Sequence, residues 1–122
     1  MALNQKRLAG PSAIANTATS TTLPAEGSFT YQVPASTTTI VKQMLLTNAS
    51  SEPRSVTLWL KPSATAYASM GNGNILYFDT LISPQATTTL NLSLVMATGD
   101  RLYARASAAS TVNITISGIE EV

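Results

Sequence analysis

The stretch Ile40-Val41-Lys42-Gln43-Met44-Leu45-Leu46-Thr47-Asn48, continuing through Ala49-Ser50-Ser51-Glu52-Pro53-Arg54 into Ser55-Val56-Thr57-Leu58-Trp59-Leu60-Lys61-Pro62, decides the fold class. Two β-prone runs flank a short polar segment that carries Asn, Ser and Pro. That pattern predicts two antiparallel strands joined by a hairpin loop. The second run alternates cleanly, with Val56, Leu58 and Leu60 on one face and Thr57, Trp59 and Lys61 on the other. In the first run Ile40, Met44 and Leu46 share a face with Lys42, while Val41 and Leu45 share the opposite face with Gln43 and Thr47. One face of the unit is therefore expected in the core. The other is only half polar.

Working outward, the remaining strands are short and regularly spaced. Phe29 to Val33 is a run ended by Pro34. Ser63 to Gly73 is a loop rich in Ala, Ser, Gly and Asn, and Asn74 to Thr80 is a compact apolar strand. Thr87 to Val95 alternates, with Leu90, Leu92 and Leu94 inward. Arg101 to Ala106 places Leu102, Ala104 and Ala106 inward and Arg101, Tyr103 and Arg105 outward, and Val112, Ile114 and Ile116 point inward on the last strand. About seven short strands with turn signals at this spacing predict an all-β protein: an antiparallel β-sandwich, jelly-roll-like. Inward Val, Leu and Ile sets of this kind are buried only when sheets stack.

Residues 1–27 read as an extended N-terminal arm, and 28–122 as the sandwich domain. The arm is Ala/Ser/Thr-rich, has Pro11, Pro24 and Gly27 as punctuation, and shows no sustained period. Such a segment does not hold itself in place. It is expected to lie against its own domain, a neighbouring copy or a larger assembly.

Composition excludes much chemistry. The chain of 122 residues has neither Cys nor His, which removes thiol nucleophiles, imidazole acid–base work and the usual zinc ligands. Net charge is +1 and only 11% of residues are charged, so nothing offers a basic footprint for nucleic acid. No apolar run is long enough for a membrane helix. Gly10, Pro11 and Ser12 interrupt the first apolar segment, which speaks against a secretory leader and for synthesis and use without Sec-type export. A skin this poor in charge suits a protein partly covered by partners; the alternative is an extracellular β-domain with a Ser/Thr-rich surface.

The carboxylates Glu26, Glu52, Asp79, Asp100, Glu120 and Glu121 are not spaced as an acid–base pair, and Asp100 after Gly99 reads as a turn residue. Gly71-Asn72-Gly73-Asn74 lacks the Lys and Ser/Thr of a phosphate loop and reads as a turn rather than a calcium loop. Asn48-Ala49-Ser50, Asn91-Leu92-Ser93 and Asn113-Ile114-Thr115 match the glycosylation sequon, two of them inside strands. No catalytic residue, cofactor or metal is expected.

Surface chemistry remains. Val41, Leu45 and Trp59 point away from the predicted core, as do Arg101, Tyr103 and Arg105. Aromatics and Arg are enriched at interfaces, so these residues are expected to meet a second copy or a larger shell. The competing reading is that the arm or another strand of the same chain covers them. A third is that Trp59 or Tyr103 stacks on a sugar, as in a carbohydrate-binding module.

Two groups of residues carry a resemblance. The first runs Phe29-Thr30-Tyr31-Gln32-Val33-Pro34-Ala35, Ile40-Val41-Lys42, Leu46-Thr47-Asn48-Ala49-Ser50 and Val56-Thr57-Leu58. The second is Gly99-Asp100-Arg101-Leu102-Tyr103-Ala104-Arg105-Ala106-Ser107 with Val112 to Glu120. From Phe29 onward the chain resembles the small β-sandwich structural proteins of tailed-bacteriophage virions, and most resembles their capsid decoration, or cement, proteins. Ser36-Thr37-Thr38-Thr39 departs from that family's pattern, which commonly has Gly and a charged residue there. The resemblance implies a non-enzymatic protein made in the bacterial host cytoplasm and carried on the capsid surface of the virion, a homotrimer whose partner is the major capsid protein. Lys6 and Arg7 would then pair with an acidic patch on that partner. Tail, baseplate and fibre proteins share the module, which keeps those locations as the alternative.

Overall fold

The computed structural model describes residues 3–122; Met1 and Ala2, at the head of the expected arm, lie outside the described residues. Among the described residues the strands are β1 (Leu3–Ala13), β2 (Ala15–Asn16), β3 (Tyr31–Gln32), β4 (Thr38–Asn48), β5 (Arg54–Lys61), β6 (Ile75–Ile82), β7 (Thr87–Met96), β8 (Arg101–Ala106) and β9 (Val112–Glu121). The only helical segments described are two 3-10 turns between β5 and β6. One sheet has the order β1-β9-β4-β7. The other has the order β2-β8-β5-β6, with β3 also pairing β8. All pairings are antiparallel except the short one between β2 and β8. From β3 onward, successive strands change sheet at every step except β5 to β6. That is the double Greek key of a jelly roll, so the all-β sandwich expected from the sequence is the fold.

Three sequence expectations change. Ile40 to Pro62 is not a hairpin: β4 pairs β7 and β9, β5 pairs β6 and β8, and residues 49–53 carry the chain from one sheet to the other. Both runs own an apolar face, and stacking those faces buries both. The corner is held by Asn48, fully buried. Its Nδ2 donates to the carbonyls of Glu52 (2.8 Å), Ile82 (3.0 Å) and Ser83 (3.3 Å), while its Oδ1 accepts from the Ser50 amide and hydroxyl.

Val41 is the second correction. It is fully buried in the core with Met44 and Leu46, not on the outer face. The ladders of β4 with both β7 and β9 slip between Val41 and Gln43. Against β9 the extra residue is Lys42, which is exposed; against β7 the extra residue lies on β7, between Leu94 and Asn91. One inserted residue reverses the phase, so Thr39 and Val41 before it face the same way as Met44, Leu46 and Asn48 after it.

The third concerns the arm. Residues 3–13 are the outer strand of a sheet, antiparallel to β9 from Leu3 opposite Glu121 to Ala13 opposite Asn113. Its register shifts between Arg7 and Ala9 and again between Ala9 and Ser12. Gly10 sits at φ +78 against the Ile114 carbonyl, where no side chain would fit. The chain then crosses to the other sheet as β2, and residues 17–30 run over that sheet's outer surface.

Between the sheets lies the core. Val41, Met44, Leu46, Val112, Ile114 and Ile116 from one sheet face Val56, Leu58, Leu102, Ala104 and Ala106 from the other, with Ile14, Tyr31, Val33, Ile82 and Met96 closing the ends. Each fully buried large aliphatic contributes about 1.5–3 kcal/mol, so this layer dominates the stability of the fold.

Candidate partner interface

Trp59 and Tyr103 sit side by side on β5 and β8, on the outer face of their sheet as the alternation predicts. They are nevertheless 1% and 0% exposed. The cover is the chain itself. The Tyr103 hydroxyl donates to the Glu26 carbonyl at 2.7 Å, and the Tyr67 ring lies 6.0 Å from the Tyr103 ring, tilted by 56°. Tyr67 in turn donates its hydroxyl to the Pro24 carbonyl. The partner role expected for Trp59 and Tyr103 is thus overturned, and so is their use as a sugar-stacking platform. An aromatic pair on a sheet face needs cover, and residues 17–30, which leave β2 beside β8, supply it.

The arginines tie that cover down. Arg101 stacks over Phe29 at 4.5 Å from the ring centre and reaches the Glu26 carbonyl at 3.4 Å. Arg105 is 4% exposed. Its Nε donates to Thr17 Oγ1 at 3.2 Å, and its Nη1 reaches Ser55 Oγ at 3.3 Å and pairs with Asp79 at 3.5 Å. A guanidinium buried this deeply must be paired, and its partners come from three separate segments. Arg105 serves the fold, not a partner surface, while Arg101 is half-buried and holds the cover by one side.

Lys6 also has a partner within the chain. It pairs with Glu120 at 2.8 Å, across the β1–β9 ladder. Glu120 additionally accepts a 2.6 Å hydrogen bond from the Tyr31 hydroxyl, which lies 2.8 Å from Thr39 Oγ1. Burial works to raise the Glu120 pKa, but the Lys6 ammonium and the Tyr31 hydroxyl outweigh it and hold the carboxyl below its ordinary value. Burial, and then the hydrogen bond to this carboxylate, pushes the Tyr31 phenol well above its ordinary range. This network fastens β1 to the sandwich. Asp100 has the turn role expected of it, its two carboxylate oxygens accepting from the Ser63 amide (2.8 Å) and the Ala97 amide (3.0 Å). Asn48, with both side-chain polar atoms engaged in the interior, is no glycosylation acceptor in the folded chain.

Two of the expected interface residues keep an outward position. Leu45 is half-buried on the outer face of the β1-β9-β4-β7 sheet, between Thr89 and Thr115 on the neighbouring strands, and Arg7 is exposed beside Ser117. This face has no covering segment among the described residues. It presents the hydroxyls and amides of Thr47, Thr87, Thr89, Asn91, Thr115 and Ser117. Thr47 and Thr87 are linked at 3.1 Å, Gln43 donates to Asn91, and the exposed Lys42 reaches Ser93.

A further surface was not anticipated. The sandwich is open along the side where β6 and β7 end their respective sheets. A groove of about 460 Å³ runs there, floored by Met44, Leu58, Tyr77, Leu90 and Leu92 and flanked by Leu76. Leu76, Phe78 and Leu81 of β6 and Val95 of β7 are all exposed. The signal lay in β7 itself: Thr87 to Met96 contains no charged residue and no proline. No cluster of three or more acidic residues able to hold a metal occurs among the described residues. Compared with family models, with curated proteins and with solved structures, the chain has no match in any of the three.

Proposed function

We propose that the chain is a non-enzymatic structural protein of a tailed-phage virion that decorates and stabilises the icosahedral head. One observation carries the reading. The chain roofs the β8–β5 part of one sheet with its own residues 17–30 and leaves the outer face of the other bare, a surface of neutral hydroxyls and amides around Leu45 with Arg7 and Lys42 as its cations. The jelly-roll order supports it by analogy, since the same order builds many capsid proteins. Laid over capsomer boundaries, such a face resists expansion of the shell simply by the area that separation would expose. The major capsid protein and other copies of the chain are the partners, and the resemblance implies trimers. A place in the tail, baseplate or fibre is the second reading.

Add-back to heads that lack the protein tests the proposal. The wild-type chain is expected to co-sediment with them, and Arg7→Glu combined with Leu45→Lys to remain in the supernatant while keeping its circular dichroism. Failure of the wild type to bind would reject head decoration. Equal binding of the variant would reject this face.

A further inference from the structure

We infer that the edge of β7 is a self-association site, taking the β7 of a second copy as an antiparallel partner across a two-fold axis. An open strand edge presents a row of unpaired amides and carbonyls, and soluble proteins blunt such edges with charge, proline, bulges or cover. Three of the four edges here are treated that way. β1 carries Lys6, Arg7 and Pro11 and breaks register twice. The β2/β3 edge is flanked by residues 17–30, which fold over its sheet. β6 breaks register twice against β5 and holds Asp79 at φ +44. β7 has one register shift against β4, between Leu94 and Asn91, but no charged residue, no proline and, among the described residues, no covering segment. It runs through ten residues with its ladder to β4 on one side, and no pairing to β6 is found among the described residues.

A second β7 is the occupant that fits. A partner edge must be as free of charge, proline and cover as this one, and among the described residues β7 alone qualifies. Pairing two identical strands antiparallel is an isologous contact, so it closes at two copies. The alternation sets the register. Leu90, Leu92 and Leu94 are half-buried on the inner face, and Thr89, Asn91 and Ser93 are on the outer. Registers centred on a residue of β7 place inner face beside inner face; registers centred on a peptide bond place leucine beside threonine and leave both grooves open. The first set joins the two grooves, each floored by Met44, Leu58, Tyr77, Leu90 and Leu92, into one apolar layer.

The size is adequate. Ten residues make an edge ~33 Å long, and two stacked sheets with their side chains give it a width of ~20 Å, so the pair buries ~1,300 Å², within the ~1,200–2,000 Å² of a stable contact. The inference does not rest on the capsid reading. A trimer closed around a three-fold axis cannot place β7 against β7, so mass alone separates the two arrangements.

Two charge variants test it. Thr89 and Asn91 are exposed on the outer face, so Thr89→Lys with Asn91→Lys, and Thr89→Glu with Asn91→Glu, alter the edge without entering the core. By sedimentation equilibrium at tens of micromolar, the wild type is expected at twice the 12.8 kDa of the chain. Each variant alone is expected at the single mass, and their equimolar mixture at the double mass again, because unlike charges then face across the axis. A wild type at single or triple mass, a variant that keeps the double mass, or a mixture that stays at single mass overturns the proposal. Hydrogen exchange on the unaltered chain gives an independent reading. Alternate amides of β7 should slow as concentration rises, and slowing elsewhere with β7 unchanged also overturns it.

Discussion

Replacing Trp59 by Ala separates a core role from a contact role. Trp59 is 1% exposed and sits on a central strand, with Tyr103 beside it on β8 and Ile75 beside it on β6. Both neighbours are held by sheet ladders, and Tyr103 is further fixed by its hydrogen bond to Glu26 and by the Tyr67 ring. The walls of the hole left by the indole therefore cannot close. Large-to-small substitutions of Trp or Phe at such sites cost about 3–5 kcal/mol, and a well-braced site belongs toward the upper end. At roughly 4 °C per kcal/mol for a domain of this size, the melting temperature should fall by about 15 °C. Urea unfolding followed by far-ultraviolet circular dichroism gives the free energy, and sedimentation gives the mass. The expected result is a large loss of stability with no change in the mass of the folded species. A loss under about 1 kcal/mol accompanied by a change in assembly mass would refute the burial argument and return Trp59 to a partner surface.

Acid should weaken the chain through Glu120. Its pKa is held below the ordinary 4.5, so the network with Lys6 and Tyr31 adds stability above that pH and loses it as pH falls further. Glu120→Gln should flatten this acid limb in a pH series of melting temperatures, and an unchanged slope would contradict it. The alkaline limb runs the other way. Tyr31 titrates far above 10.0 in the folded chain, so the unfolded state is favoured as pH rises past that value, and Tyr31→Phe should remove the effect. Asn48→Ala deprives the Glu52 and Ile82 carbonyls of their donor and should cost about 2–4 kcal/mol in the same urea assay, with Asn48→Asp no better because a carboxylate cannot donate. A cost below about 1 kcal/mol would show that the corner is held by something else.

The layers of this fold are legible in the alternation of β5, β7, β8 and β9, because each strand keeps one phase from end to end. The phase of β4 is not, since periodicity cannot register an inserted residue. The one clue is that reading the run without a bulge forces Lys42 onto the face of Met44 and Leu46. Proximity in the chain favours a hairpin for β4 and β5, and only the burial of both faces of β5 argues for a sheet-changing corner. Thr57, Trp59 and Lys61 are all buried on its outer face, which marks a central strand under a roof. β1 leaves no legible period in the sequence because two register shifts and Gly10 interrupt Leu3 to Ala13. Alternation gives the outward direction of Trp59, Arg101, Tyr103 and Arg105, but direction is a property of a strand, while exposure depends on residues 17–30, which have no strand pattern to follow.

Head decoration is tested most directly by counting. Quantitative mass spectrometry of purified virions measures the copies of this chain against the major capsid protein. The account predicts a ratio of the order of one decoration site per capsomer or capsomer junction, hence hundreds of copies per particle. A few to a few dozen copies, in the proportion of a tail or fibre component, would contradict it.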